Sequence, residues 1–379
     1  MPDLFDTFET SDPGAYGFAE RAAVDAARRR GRGVGSNRSG RYERETRVAA
    51  DDGWAREEED EAPLRTEVLI DHSRSVIARN TSPDLPFDRS VNPYRGCEHG
   101  CTYCFARPTH AYLGLSPGLD FETRILVKPD AAERLAQELR APGYECRPIA
   151  MGTNTDPYQP LERDKRVTRR ILEVLRAHRH PVSIVTKGAG VTRDLDILGE
   201  MGRQGLARVY LSVTTLDHRL GRALEPRAAS PQARLRAIAA LARAGVPTGV
   251  MVAPVIPALT DHELERILEA CARAGAVSAG YIVLRLPREV RDLFVEWLQE
   301  HRPDAAERVM GRVREIHGGR DYDAAFGRRL SGQGVWADLL RRRFQGAARR
   351  HGLDRRLPPL RTDLFRKPQR KGDQLALDL

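Results

Sequence analysis

Arg89-Ser-Val-Asn-Pro-Tyr-Arg-Gly-Cys97-Glu-His-Gly-Cys101-Thr-Tyr-Cys104 is a short extended run followed by three cysteines in eight residues, spaced C-x₃-C-x₂-C. Thiolates are the usual ligands of iron–sulfur cubes, and gaps of two or three residues let one loop wrap several corners. Cys97, Cys101 and Cys104 can hold three irons of a [4Fe–4S] cluster, leaving the fourth iron without a ligand from this loop. A structural zinc is the rival; it would need a fourth ligand, His99 or His110, and its cysteine pairs usually read C-x₂-C twice. A disulfide framework fits poorly, with an odd count of five cysteines and no apolar signal segment at the start. Cys146 and Cys271 stand alone and read as small core residues.

Working outward, apolar β-branched runs recur at 89–94, 148–152, 182–187, 208–213, 248–252 and 279–284. Amphipathic patterns separate them, at 166–178, 193–203, 231–244, 261–274 and 288–300. In the first, Val167, Ile171, Val174 and Leu175 fall at helical spacing. Pro231 suits a first helical turn, Gly245 a helix end, and Thr260-Asp-His-Glu263 a capping box. Strands alternating with helices predict an α/β fold of parallel β/α units. Six units are too few for an eightfold barrel and fit a partial (β/α)₆ TIM-like barrel over 87–303. The cysteine loop then lies just beyond the first strand, at the rim where such barrels assemble their sites.

The cysteine spacing, with Tyr103 before the last cysteine, resembles the radical S-adenosylmethionine superfamily. Asn92-Pro-Tyr-Arg-Gly-Cys97 and Gly152-Thr-Asn-Thr-Asp-Pro157 resemble its spore photoproduct lyase-like branch. The resemblance covers about residues 85–300 and implies a partial (β/α)₆ barrel, a [4Fe–4S] cluster and S-adenosylmethionine. It also implies cleavage of S-adenosylmethionine to a 5′-deoxyadenosyl radical, and an electron donor such as flavodoxin or ferredoxin. Gly152, Thr153, Asn154, Thr155 and Asp156 stand where the superfamily receives the methionyl ammonium; an Asx turn into Pro157 is the plainer alternative. Lys187 matches a lysine that pairs with the cofactor carboxylate, and Arg234 an arginine used for the same group. Ser212 and Thr214 offer hydroxyls to the ribose, and Tyr103 shields the cluster. The apolar 253–257 run suits adenine packing, and Arg285 is a candidate substrate contact. One departure stands out: spore photoproduct lyases use a cysteine near strand two as hydrogen-atom donor, and this chain has Thr153-Asn-Thr155 there.

The net charge of +9 sits at the ends: residues 28–48 carry +6, residues 340–371 carry +10, and the remainder is mildly acidic. Such clusters suit nucleic acid, where Arg and Lys gain by counterion release. Residues 1–62, Arg/Gly-rich and then acidic, read as disordered, and 63–86 as an extended lead-in. Beyond 303, helices are expected at 304–317 and 334–351, the second very basic. Gln374-Leu-Ala-Leu-Asp-Leu379 suits an extended peptide entering an apolar groove and resembles a bacterial sliding-clamp-binding motif. No run is long enough to span a membrane, so a cytoplasmic enzyme acting on nucleic acid is expected. Radical chemistry on RNA, protein or a small molecule is the alternative, or a non-catalytic nucleic-acid-binding protein with a structural zinc or redox-sensing cluster.

Overall fold

The computed structural model describes residues 23–43 and 63–369. Its strands are β1 (Glu67–Ile70), β2 (Ile77–Arg79), β3 (Arg89–Val91), β4 (Tyr94–Arg95), β5 (Arg124–Val127), β6 (Ile149–Met151), β7 (Val182–Thr186), β8 (Ala207–Ser212), β9 (Thr248–Val255) and β10 (Ser278–Val283). The main sheet runs β10-β9-β8-β7-β6-β3-β2. All its pairs are parallel except β2 on β3. Six parallel strands therefore follow one another in chain order, as the β/α rhythm predicts. β1, β5 and β4 form a small second sheet, which periodicity did not reveal because each strand is at most four residues long.

Helices over Val167–Ala177, Leu195–Arg203, Pro231–Arg243, Leu264–Arg273 and Glu289–His301 connect or flank the strands. Their apolar stripes share a core with the sheet: Ile171, Leu172 and Leu175 join Ile184, Val209, Leu211, Ile238 and Leu241. Ser230 caps the Pro231 helix through the Ala233 amide. The capping box at Thr260 does not form. The Thr260 hydroxyl accepts from the Ile256 amide instead, and Glu263 crosses to the Thr215 hydroxyl and the Leu216 amide.

The sheet stays open between β10 and β2. A late segment bridges the gap: Gly327 N and Arg329 Nε each donate to Asp84 at 2.7 Å, and Val283 N donates to Leu330 O. The helix Gly334–Arg350 then covers β10, with Phe344 4.7 Å from the Tyr281 ring and Arg343 paired with Glu265 at 2.7 Å. Residues 361–366 pass beneath the strand starts, where the Arg361 amide meets Gly205 O, the Arg366 amide meets His178 O, and Phe365 packs on His180.

Disorder across 1–62 does not hold for residues 23–43, which are packed on the barrel. Val34 is fully buried, and Arg29, Arg38 and Arg41 pair with Glu300, Glu296 and Glu289 of one helix. Charge density suggested a solvated chain, but its carboxylate partners lie some 250 residues away in sequence, at separations such as 258 and 271. The Gln374–Leu379 motif lies outside the described residues.

Candidate functional site

The cysteine loop is shaped by two glycines with left-handed backbone, Gly96 (φ +81°) and Gly100 (φ +68°). A Cβ on Gly96 would sit 2.9 Å from Phe121 O, and one on Gly100 2.7 Å from a Glu122 carboxylate oxygen. Beneath the loop lies a buried ion pair. Arg107 and Glu122, both with fully buried side chains, meet at 2.5 Å, and Arg107 also donates to Cys101 O, Pro117 O and Gly118 O. Glu122 accepts in turn from the Gly33 amide at 2.8 Å. A Cβ on Gly33 would lie 1.7 Å from Gly100 O, so the N-terminal arm presses its backbone directly onto the loop.

Cys97 and Cys101 are buried, Cys104 is partly so, and all are free thiols. Burial raises the pKa of each, with Asp156 adding to the rise at Cys97 and Glu225 at Cys101. None is a thiolate by environment, unlike an activated nucleophile; a bound metal would have to supply the stabilising charge. The loop therefore fits an iron–sulfur group in donor chemistry and in its enclosed setting. Of the histidines considered for zinc, His99 Nδ1 lies 3.4 Å from Asp156 and His110 Nε2 lies 3.0 Å from Arg124 O, while His110 Nδ1 is buried without a hydrogen-bond partner among the described residues.

Beyond β6, Gly152 (φ +82°) turns so tightly that a Cβ would lie 1.9 Å from Val185 O. Asn92 holds the turn through Thr153 and the Asn154 amide at 3.2 Å, and Thr155 donates to Tyr94 O. Asp156 makes the Asx turn with the Tyr158 amide, and also receives Thr186 Oγ1 and the Lys187 amide. Burial alone would raise its pKa. His99 and these donors outweigh that and hold the carboxyl at about 2.

The sequence candidates from four separate segments meet around a residue that the sequence reading missed, Glu225. Its carboxylate accepts from the Tyr103 hydroxyl, from Thr214 at 2.8 Å and from Arg234. Lys187 Nζ lies 3.9 Å away, beside the Tyr103 ring, and donates to Ala253 O at 3.2 Å. Arg234, also donating to Ser212 O, is buried rather than an exposed helix charge. Burial opposes the charge on Glu225, yet Arg234 and Lys187 bring its pKa down to about 2. Glu225 closes the short helix His218–Leu224, and only its standing as a lone charge among apolar neighbours in Ala223-Leu-Glu-Pro226 could have flagged it. Arg285, beyond β10, lies between the rings of Phe105 and Tyr322, at 4.9 and 5.8 Å, apart from this knot.

Comparison with known proteins agrees with the geometry. The family model described as "Radical SAM superfamily" matches residues 91–271. An uncharacterized protein of Mycobacterium tuberculosis is 42% identical over 235 residues, covering 62% of this chain and 68% of the relative. An uncharacterized protein of Methanocaldococcus jannaschii is 26% identical over 223 residues, 59% of this chain and 80% of the relative. In fold, the chain is similar to a spore photoproduct lyase mutant solved with AdoMet and dinucleoside spore photoproduct, with TM-score 0.54, 16% identity and coverage of 75% and 78%. With the cysteine loop at the rim of a parallel β/α sheet and these similarities together, the chain belongs to the radical SAM superfamily, whose enzymes use a [4Fe–4S] cluster and S-adenosylmethionine.

Proposed function

We propose that Cys97, Cys101 and Cys104 hold the [4Fe–4S] cluster and that the enzyme acts on nucleic acid, in DNA repair or base modification. The observation that carries the reading is the buried knot of Tyr103, Lys187, Thr214, Glu225 and Arg234 beside Cys101. The cluster and S-adenosylmethionine together supply reductive cleavage of the sulfonium and a 5′-deoxyadenosyl radical. The chain's own residues position and shield. Lys187 and Arg234 bring two cations and Glu225 one anion, leaving one positive charge for the methionyl carboxylate. The turn at Gly152, Thr153, Asn154 and Thr155, closed by Asp156, receives the ammonium. Ser212 and Thr214 lie at the end of β8 for the ribose. Tyr103, buried over the knot, keeps water from the cluster, which tunes its potential.

Nucleic acid is favoured over other substrates by the likeness to lyase structures holding a dinucleoside lesion, and by the basic C-terminal region. With Thr153 and Thr155 in the strand-two loop, the hydrogen-atom donor differs from the lyase cysteine. Anaerobic reconstitution tests the reading. The expected protein is brown, holds about four irons and releases 5′-deoxyadenosine on reduction with S-adenosylmethionine; Cys→Ala at any of the three positions abolishes this. Stoichiometric zinc without cleavage would defeat it. Incubation with lesion-bearing and modified DNA, read by mass spectrometry, tests the substrate class, and turnover of protein or small molecules alone would overturn it.

Electrons come from a small carrier such as flavodoxin or ferredoxin. The Gln374–Leu379 motif docks on a sliding clamp, bringing the enzyme to replicating DNA. Clamp pull-down by the full chain, lost on removal of residues 374–379, is the expected result; equal capture by both removes the idea.

A further inference from the structure

The two basic segments fare differently in the fold. In the N-terminal arm, Arg29, Arg38 and Arg41 are neutralised by Glu300, Glu296 and Glu289, and Arg32 is buried against Glu122 O and Leu64 O. The helix Gly334–Arg350 turns its Trp336, Leu340 and Phe344 side inward. Its outer face exposes Arg342, Arg349 and Arg350, and the chain beyond exposes Arg355 and Arg356. Among the described residues none of these five guanidinium groups forms an ion pair with a carboxylate, whereas Asp338, also on the outer face, is taken by Arg341 at 2.7 Å.

We infer that this face is a DNA-backbone-binding surface on the β10 flank of the barrel. At about 1.5 Å per residue, Arg342 and Arg349 are about 10 Å apart along the helix, a span of about three phosphates on one duplex strand. The helix runs from the rim to the strand starts. Its foot joins the start of β10 through the Ala279 amide and Leu353 O, while its head is tied through the Gln333 amide to Ile316 O. The adjacent His317 bonds Leu284 O, next to Arg285 at the rim. The exposed arginines therefore run from the middle of the helix to its foot and beyond, on the β10 flank toward the strand starts. The choice of DNA as the polyanion rests on the proposed function; the position of the surface does not.

The test is fluorescence anisotropy of the full reconstituted chain with a short labelled DNA duplex of mixed sequence, titrated across a range of salt. R342E/R349E/R350E is expected to weaken binding on the order of tenfold and to flatten the log–log salt slope by about 3, since each phosphate contact contributes roughly one unit. The milder R342Q/R349Q/R350Q, with an unchanged melting temperature, should fall between. R163E/R273E reverses two exposed arginines on other helices and should bind nearly as the parent does. Unchanged binding by both triple variants, an equal loss in R163E/R273E, or tighter binding to duplex RNA or to phosphatidylglycerol vesicles than to DNA would overturn the inference. DNA held through these arginines but never chemically altered would leave the surface standing and sink the proposed substrate class.

Discussion

Glu225 sits where two cations, a phenol and a threonine hydroxyl converge in the interior. Replacing it with Gln keeps the shape but leaves Arg234 and Lys187 without a counter-charge. Breaking a buried pair in this way costs about 3–5 kcal/mol. E225Q is thus expected to unfold at lower denaturant; E225D should recover part of the loss. Parent-like stability in E225Q would show that the pair contributes nothing net. Glu225 and Asp156 also set an acid response. Both are held at about 2, below their ordinary values of 4.5 and 3.8. Depressed carboxyls stabilise the fold above the unfolded-state values, and that contribution is lost as pH falls from about 4.5 towards 2. Denaturant midpoints measured from pH 6 to pH 3 should drop across that window, and less steeply in E225Q. Identical slopes would place the acid sensitivity elsewhere.

Short elements carry the site, and they explain what the sequence could and could not reveal. The six long-spaced strands were legible because β-branched runs such as Val182–Thr186 alternate with helical stripes such as Val167–Ala177. The cysteine loop was legible because its three cysteines are local in sequence. Glu225 was not, because its meaning comes from Tyr103, Lys187 and Arg234, on three other segments. The N-terminal arm was misread for the same reason: arginine-rich chain looks solvated until its acids, on the helix Glu289–His301, are in place. Glu263 escaped its capping role because a longer reach to Thr215 was available. The arm offers an element-scale test. Gly33→Ala puts a methyl where Gly100 O now lies, so either the arm or the loop must shift. We expect a loss of about 2–3 kcal/mol, in the range of backbone and overpacking effects, and a fall in iron per chain on reconstitution. Normal stability with full iron would show that the arm is not seated on the loop.

At the scale of the whole molecule, two segments outside the β/α units are built into the barrel: residues 23–43 lie against the cysteine loop, and 361–366 run beneath the opposite face. The N-terminal contact has a temporal side. Arg29 and Arg38 leave the ribosome long before Glu300 and Glu296, which follow by 271 and 258 residues. Contacts of the arm with Leu64, Asp120 and Glu122 can form early, but its ion pairs with the last helix of the β/α units cannot form until that helix has been synthesised and folded, so they lock the arm over the cysteine loop last. During synthesis the loop is thus less firmly covered than in the finished chain, and we expect that interval to favour iron delivery. Pulse-labelled iron should enter stalled nascent chains ending near residue 287 faster than it enters the completed apoprotein. Equal rates would mean that the arm lifts freely, and that the window for assembly never shuts.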